Sequence, residues 1–329
     1  VEGYGGMIRS TWTDRPLSVA GRLVVRTADG VKTAGVDLKR PVAIIPNVAI
    51  HMDRTVNDSK GYNTAVDMLP LYSLAGAEDV SLRARLAEAA GVDEKDILAT
   101  DVSVYNPQGG EEFGGLICAP RLDDLQCAFA SLTAFLKAEK GAGLPVCCLF
   151  DNEEVGSRTK QGAASTFLSD TLERICEAIG KSGDIREKLA SGFLVSCDNA
   201  HAAHPNHPEY SDRNHTVRMN GGIVIKYNAN QNYTTDAVSA ATSGTFCERA
   251  GVKTQPYANR ADMPGGSTLG NIANTRVSLN TVDIGLAQRA MHSAYETAGA
   301  DDTDAMIKAL SAFFGGSIEM KKDGEYSVG

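Results

Sequence analysis

Three carboxylates in four residues follow directly on an apolar run. The run, residues 146–150, is bounded by Pro145 and by the acidic stretch DNEE, residues 151–154. A short apolar run between breakers predicts a buried strand, and in open α/β sheets the functional crevice lies beyond the carboxyl ends of the strands. Carboxylates placed there repel one another unless a cation or a proton relieves the repulsion. Because adjacent side chains point in different directions, Glu153 and Glu154 can divide the work, one binding a metal and the other handling a water. An acidic loop that caps the following helix is the alternative, and this stretch alone leaves both open.

A second apolar run also ends on an acid. Residues 192–197 (GFLVSC) are followed by Asp198 and then by a histidine-rich loop that contains two prolines. Two buried strands that each deliver a carboxylate at the carboxyl end are a more specific signal than either alone. The prolines favour a loop over a helical metal motif, and the sequence has no HExxH pattern of a zinc helix.

The elements around these acids can be inferred from periodicity. Residues 122–136 carry apolar side chains at helical spacing, and Asp123 lies at the start of this predicted helix. Taken by itself, Asp123 is interpreted as an N-cap residue. Residues 222–227 (GIVIKY) alternate as a strand, on which Lys226 is expected to face the solvent.

Two further features complete the candidate chemistry. Residues 262–270 (DMPGGSTLG) form a glycine loop whose backbone N–H groups could hold an oxyanion or a carboxylate. His292 is expected at or near a helix start. Carboxylates with a distal histidine suit zinc, cobalt or manganese, and they do not resemble the thiolate site of a soft metal. Shared carboxylates allow two metals ~3.5–4 Å apart, the usual arrangement in metal-dependent aminopeptidases.

Composition excludes several classes of function. The 329 residues are 43% hydrophobic, which is enough for a large core and predicts two domains. The net charge of −9 argues against nucleic acids and anionic membrane surfaces as partners. No apolar run approaches the ~20 residues that span a bilayer. The seven cysteines are odd in number and contain no CxxC pair, so we expect buried thiols in a reducing compartment, the cytoplasm.

Nine motifs follow one another along the chain: YGG…TWTDRPLSVAGR, IPNVAIHMDR, RLDDL, LFDNEEVGS, SCDNAHAAHPNH, GIVIKYNANQNY, DMPGGSTLG, TVDIG and MHSAYE. In these motifs and their order the chain resembles the aspartyl aminopeptidase family of dinuclear zinc exopeptidases. The resemblance covers nearly the whole chain, and several long motifs in the right order are far more specific than any single one.

The resemblance implies a role for each candidate residue of the metal site. Asp123 of RLDDL would bridge two divalent metals, zinc in the first place and cobalt or manganese as alternatives. Glu153 would be the general base, and Glu154 would share one metal with His292. Asp198 would bind the other metal.

The resemblance also implies substrate contacts. His201 and Lys226 would surround the side chain of the substrate, with Lys226 as the partner of an acidic one. His51 would reach the site of a neighbouring subunit, although a lone histidine at the end of an apolar segment is by itself more often structural.

The implied fold is α/β, a zinc-exopeptidase-like mixed sheet flanked by helices. Residues 1–15 and 120–329 would form the catalytic domain, and residues 16–119 an inserted, mostly β dimerisation domain. The dimers would assemble into a closed shell, expected to be a dodecamer. One further histidine ligand of the family precedes the YGG segment, so we expect an N-terminal part before Val1. A defective or processed form is the alternative.

The implied activity is removal of N-terminal Asp or Glu from peptides through a dinuclear metal-activated water. Two alternatives stay open. One is a broad aminopeptidase for neutral residues, which keeps the metal site and changes the pocket. The other is a non-catalytic oligomeric scaffold, which would follow if the upstream histidine is truly absent.

Overall fold

The chain divides into two compact units. The computed structural model describes residues 1–74, 81–322 and 324–329. One unit contains residues 1–110 and 292–295, and the other contains residues 111–291 and 296–329. The inserted dimerisation domain at residues 16–119 stays a prediction. Among the described residues, none of the helices has the length and apolar character that crossing a bilayer requires.

The first unit is built on a long antiparallel hairpin. Strand β1 pairs with β2 from Ala20↔Asp37 to Thr27↔Gly30, and on its other edge it pairs antiparallel with β4. The alternating sequence puts Leu23 on the buried face, where it packs in one cluster with the buried residues of helix α1. Helix α1 ends at Gly91, whose left-handed φ of 64° suits glycine. The elements are β1 (Pro16–Thr27), β2 (Gly30–Asp37), β3 (Ala43–Ile44), α1 (Leu82–Ala90) and β4 (Ile97–Tyr105).

The second unit contains two larger sheets and a terminal hairpin. Its strands are β5 (Glu111–Phe113), β6 (Leu116–Ala119), β7 (Phe193–Cys197), β8 (Ala200–His201), β9 (Ile223–Tyr227), β10 (Thr254–Ala258), β11 (Asn280–Gly285), β12 (Ala287–Arg289), β13 (Glu296–Gly299), β14 (Ile318–Lys322) and β15 (Glu325–Val328). Its helices are α2 (Leu122–Lys137), α3 (Phe167–Ala178), α4 (Ile185–Ala190), α5 (Ala237–Arg249), α6 (Leu269–Ala273) and α7 (Asp302–Gly315). The mixed α/β class predicted from the sequence is confirmed.

Two sheets position the candidate site. The first has the order β10-β9-β11-β7, and the second has the order β5-β6-β13-β12-β8. In the first sheet β7 and β11 are parallel, while β9 runs antiparallel to β11. The predicted strand at residues 192–197 is therefore confirmed as β7, and it ends immediately before Asp198.

The core of this unit lies between its sheet strands and the helices α2, α5 and α7. Ile223, Val282 and Ile284 from the sheet pack with Met306 and Leu310 of α7. Each fully buried side chain of this size contributes about 1.5–3 kcal/mol relative to its exposed state.

Helix α2 forms as its periodicity predicts, but it buries its small residues. Cys127, Ala130 and Ala134 lie in the core. The larger apolar residues of the predicted stripe lie on the outer face, including Leu125, Phe129, Leu132 and Leu136. The spacing therefore predicts the helix without showing which face packs.

The apolar run at residues 146–150 is not the buried strand that the sequence predicts. The structure assigns it no strand, and Leu149 is exposed. A strand needs a neighbour that accepts and donates its backbone hydrogen bonds. No strand of the described residues pairs with this run, so apolar composition alone does not make it part of a sheet.

Candidate metal centre

Asp123 lies in an irregular turn that leads into α2. Arg121 has a left-handed φ of 62°, and both Asp123 and Asp124 have non-helical backbone angles. The backbone N–H of Asp123 donates to Glu296 Oε2 at 3.0 Å, and Glu296 is a buried residue of β13. The N-cap interpretation of Asp123 is therefore wrong. The hydrogen bond to Glu296 uses the backbone of Asp123 and does not involve its side-chain carboxylate.

Asp198 is positioned by the parallel pairing of β7 and β11. Its N–H donates to the carbonyl of Ile284 at 3.1 Å. Gly285, at the end of β11, allows the close approach, because a Cβ there would lie 2.0 Å from the Asp198 carbonyl oxygen. The acid that follows the second apolar run is therefore fixed at a sheet edge, as the sequence indicates.

Glu153 and Glu154 lie in a single 3-10 turn. The chain enters it through Asn152 in the left-handed region and leaves it through Gly156 at φ 92°. The loop is held by a hydrogen bond from Thr159 Oγ1 to Asn152 Oδ1 at 2.8 Å, and by one from Asp151 N–H to the carbonyl of Gln161 at 3.1 Å.

The acids of this unit converge around Asp123. Single carboxylate oxygens of Asp123, Asp124 and Asp198 lie within 4.8 Å of one another, and Asp123 also offers an oxygen within 4.8 Å of one from Glu154. Asp123 is thus close enough to both Asp198 and Glu154 to share a metal ion with each of them. Asp124 is a member of the cluster that the sequence analysis missed, although the doubled aspartate of RLDDL was the available signal.

Burial and mutual repulsion raise the pKa values in this cluster. Burial, followed by the charges of Asp198, Glu154 and Asp123, raises the pKa of Glu153 to about 7. Burial raises the pKa of Asp198 to about 6, although the charge of Lys226 acts to lower it. Burial, together with the charges of Asp198 and Asp123, raises the pKa of Asp124 well above its ordinary value. A cation among these acids would oppose each of these shifts.

The donor set suits a divalent metal ion. The converging atoms are carboxylate oxygens, which are ligands for zinc, manganese and cobalt. Within the described part of the chain, the buried Oδ1 atom of Asp124 has no hydrogen-bond partner. Buried charges of one sign are normally paired or bound to a metal. The residues present therefore fit a metal ion.

Lys226 is buried, contrary to the expectation that it faces solvent. Its strand β9 lies inside the sheet between β10 and β11, and the residue is 2% exposed. The ammonium donates to the carbonyl of Asn199 at 2.8 Å and pairs with Asp198 Oδ2 at 3.4 Å. Burial acts to lower the pKa of Lys226, but the charge of Asp198 together with those of Tyr233 and Asp283 outweighs burial, and the pKa is raised. Sequence alternation could not reveal this, because it does not show that both edges of β9 are paired.

Aromatic rings lie close to Lys226. Its Nζ lies 5.5 Å from the ring centroid of Tyr233, and the Tyr233 and Tyr257 rings are 6.3 Å apart. The ring of His201, on β8, lies 6.4 Å from that of Tyr257. The structure therefore brings His201 and Lys226 into one neighbourhood. Tyr233 and Tyr257 were missed by the sequence analysis, which had no signal for their burial.

His292 lies in the other unit, in residues 292–295, and does not start a helix. It has a left-handed φ of 67° in a turn between β12 and β13 in sequence. Its carbonyl accepts from Ile8 N–H at 3.1 Å, and the Thr11 hydroxyl accepts from Ala294 N–H at 2.9 Å. A Cβ at Gly6 would lie 3.4 Å from His292 Nδ1. The N-terminal glycine-rich segment thus leaves room for the imidazole, while the ligand role of His292 stays a prediction.

His51 is an exposed residue of a turn in the first unit. Its predicted reach into the site of another subunit stays a prediction.

Comparisons with known proteins agree with these motifs. Residues 1–314 match the family described as Aminopeptidase I zinc metalloprotease (M18). The probable M18 family aminopeptidase 2 of Clostridium novyi (strain NT) is 39% identical over 323 residues, which are 95% of this chain and 74% of that protein.

Solved structures share the fold. A chain in the cryo-EM structure of the Ape4 and Nbr1 complex has a TM-score of 0.88 at 34% identity, covering 95% of this chain and 65% of that chain. The S. cerevisiae mApe1 dodecamer has a TM-score of 0.74 at 26% identity, covering 94% and 71%. The chain thus spans about two thirds to three quarters of these relatives.

The fold and the matching family model define a class of zinc metalloproteases. The chain belongs to the M18 family of aminopeptidases.

Proposed function

We propose that this protein is a metal-dependent aminopeptidase that releases N-terminal Asp or Glu from peptides. The observation that carries the proposal is the position of Asp123, with carboxylate oxygens of both Asp198 and Glu154 within 4.8 Å of its own. That spacing suits a carboxylate shared by two metal ions. Membership of a zinc metalloprotease family supports zinc as the metal.

The proposed ligand set is divided around Asp123. Glu154 and His292 would hold one divalent ion, Asp198 would hold the other, and Asp123 would be shared. Such ions, when bound, polarise a scissile carbonyl and lower the pKa of a water. The buried carboxylates supply the negative charge that retains them.

Glu153 is proposed as the general base. It is adjacent in sequence to the proposed ligand Glu154 and is half-buried, and its pKa of about 7 lies near neutrality. A carboxylate of this kind can take a proton from the attacking water and return it to the departing amine. The hydrogen-bonded turn that begins at Asn152 presents the two glutamates from successive positions, so that one would bind metal while the other moves a proton.

The proposed preference for an acidic residue rests on Lys226. It is a buried cation beside the acid cluster, and two of its contacts, Asp198 and Asn199, account for two of the three donors of an ammonium. The third would pair with the side-chain carboxylate of the substrate, with His201 nearby as a second polar contact.

One observation favours a second candidate, an aminopeptidase for neutral residues. The Lys226 ammonium already pairs with Asp198 and the Asn199 carbonyl. If this pairing is its whole role, Lys226 supports the metal ligand and does not select the substrate.

Lys226→Met separates these two candidates. We expect at least a tenfold fall in the preference for N-terminal Glu over Leu, because a buried substrate carboxylate left without its partner costs about 3–5 kcal/mol, and a tenfold change corresponds to only ~1.4 kcal/mol. Steady-state kcat/KM for matched Glu and Leu peptides measures it. Lys226→Arg, which keeps the charge, is the control. An unchanged Glu-over-Leu ratio in Lys226→Met would contradict the charge-pairing account and favour the neutral-residue enzyme.

We also propose a homo-oligomer, by analogy with the dodecamer of S. cerevisiae mApe1. Residues 16–119 would form the dimerisation domain, and His51 would contact the substrate site of a neighbouring subunit. A cytoplasmic location is proposed from the cysteine content alone.

The proposed function is tested by peptide hydrolysis. The purified protein is incubated with peptides that begin with Glu, Asp or Leu, with added zinc or cobalt and with a chelator control. We expect cleavage that favours Glu and Asp, stops with the chelator and returns with metal. Cleavage that persists in the chelator would refute the metal dependence. Absence of both cleavage and bound metal would favour the scaffold alternative.

A further inference from the structure

Asp283 is a fully buried carboxylate in the middle of β11, and the proposed chemistry does not use it. Its side chain accepts three hydrogen bonds. Thr234 donates to Oδ2 through its backbone N–H at 2.6 Å and through its hydroxyl at 2.7 Å. The hydroxyl of Thr268 donates to Oδ1 at 2.7 Å. A carboxylate with three donors is strongly held, because hydrogen bonds to charged groups exceed neutral ones in strength.

The three donors come from two different loops. The amide loop, residues 228–235 (NANQNYTT), follows β9, and the glycine loop, residues 262–270, follows β10. The sequence analysis singled out the glycine loop, and the proposed chemistry gives it no role. Asp283 joins the two loops to a single point on the sheet.

The residues around the Asp283 carboxylate are closely packed. A Cβ at Gly270, the last residue of the glycine loop, would lie 2.5 Å from Asp283 Oδ1 and 2.8 Å from Ser196 Oγ. The backbone N–H of Asp283 also donates to Thr235 Oγ1 of the amide loop at 2.9 Å. Close packing of this kind transmits displacement instead of absorbing it.

The same attachment reaches the Lys226 neighbourhood. The antiparallel register pairs Ile284 with Ile225, and Asp283 and Lys226 are the next residues along the two strands. Tyr233, the residue before the anchored Thr234, carries the ring beneath the Lys226 ammonium. A shift of Thr234 would therefore move an aromatic wall of the proposed substrate pocket.

We propose that Asp283 is a positioning residue that fastens the amide loop and the glycine loop together as walls of the pocket around Lys226. It acts through Thr234 and Thr268 and contacts neither substrate nor metal. The substrate preference of this pocket rests on the proposed function. The role of Asp283 in holding the two loops does not depend on it.

The chain offers a matched control. Asp302 is another buried carboxylate of the same unit, and it accepts the backbone N–H groups of Asn220 at 2.7 Å and Gly222 at 3.2 Å. These residues precede β9, whereas Lys226 lies near its other end. Asp302→Asn therefore removes a comparable buried charge without touching either loop.

The test compares Asp283→Asn with Asp302→Asn by hydrogen exchange and kinetics. In Asp283→Asn we expect amides of both loops to exchange at least tenfold faster, together, because the Thr234 N–H and the Thr268 hydroxyl lose a charged acceptor. In Asp302→Asn the faster exchange should be confined to residues around 220–222. Unchanged exchange in both loops of Asp283→Asn, or equal loop exchange in both variants, would overturn the proposal.

Kinetics supply the second readout. Asp283→Asn should raise KM for a Glu peptide about tenfold, with kcat changed less than about threefold and metal content unchanged, because the pocket wall and not the reacting groups is displaced. Asp302→Asn should leave KM unchanged, even if the melting temperature falls by the same amount in both variants. Equal changes of KM in the two variants would reduce Asp283 to a general structural role. If the wild-type protein cleaves no peptide, the proposed function fails, while the exchange comparison still decides the positioning role.

Discussion

Glu153→Gln is expected to lower kcat by about 10²–10⁴-fold, the range that general acid–base groups contribute. Glutamine keeps the shape of the side chain but cannot take a proton at neutral pH. The metal content should stay unchanged, because Glu153 is not one of the proposed ligands and belongs to neither group of converging ligand atoms. Steady-state kinetics and elemental analysis on the same preparation measure the two quantities.

The matched control for this variant is Asp151→Asn. Asp151 lies in the same acidic stretch, is exposed and accepts the backbone N–H of Asn152 at 2.7 Å. Its loss removes the same charge from the loop without removing the proposed base, so kcat should change by less than about threefold. A fully active Glu153→Gln enzyme would remove Glu153 from the mechanism.

Asp123→Asn is expected to have the second large effect, the loss of bound metal. A shared carboxylate contributes to both ions, and even residues that only support ligands alter metal affinity by about 10–100-fold. We therefore expect affinity to fall at least that far and activity to fall with it. The backbone N–H that bonds Glu296 is retained in the variant, so the start of α2 should keep its conformation.

Asp124→Asn is the comparison for that prediction. It removes the same charge from the adjacent residue of the cluster. Only Asp123 of the two has ligand atoms close to both Glu154 and Asp198. Metal titration followed by calorimetry should show a larger loss for Asp123→Asn than for Asp124→Asn. Two metal ions of unchanged affinity in Asp123→Asn would rule out the shared-ligand role.

The sequence by itself was sufficient to predict those elements that depend on local patterns of residues. The alternation of β1 and the dipeptide Asp29-Gly30 predict a hairpin, because a period of two and turn-forming residues are local properties. The structure confirms the hairpin, with residues 28–29 in the turn and Gly30 as the first residue of β2. The apolar run of β7 predicts a strand that delivers Asp198 to a sheet edge. The family motifs are local as well, which is why their order along the chain was enough to indicate the M18 relationship.

Tertiary structure alone decided what each element packs against. Lys226 lies in an alternating strand, yet pairing on both edges of β9 and the neighbouring Asp198 make it a buried cation. Residues 146–150 have the composition of a strand, but no described neighbour pairs with them. Asp124 and Asp283 meet partners that are far away in sequence. Periodicity reports the conformation of a segment, whereas burial, charge pairing and loop attachment depend on which distant segments meet it, and only the folded chain determines that.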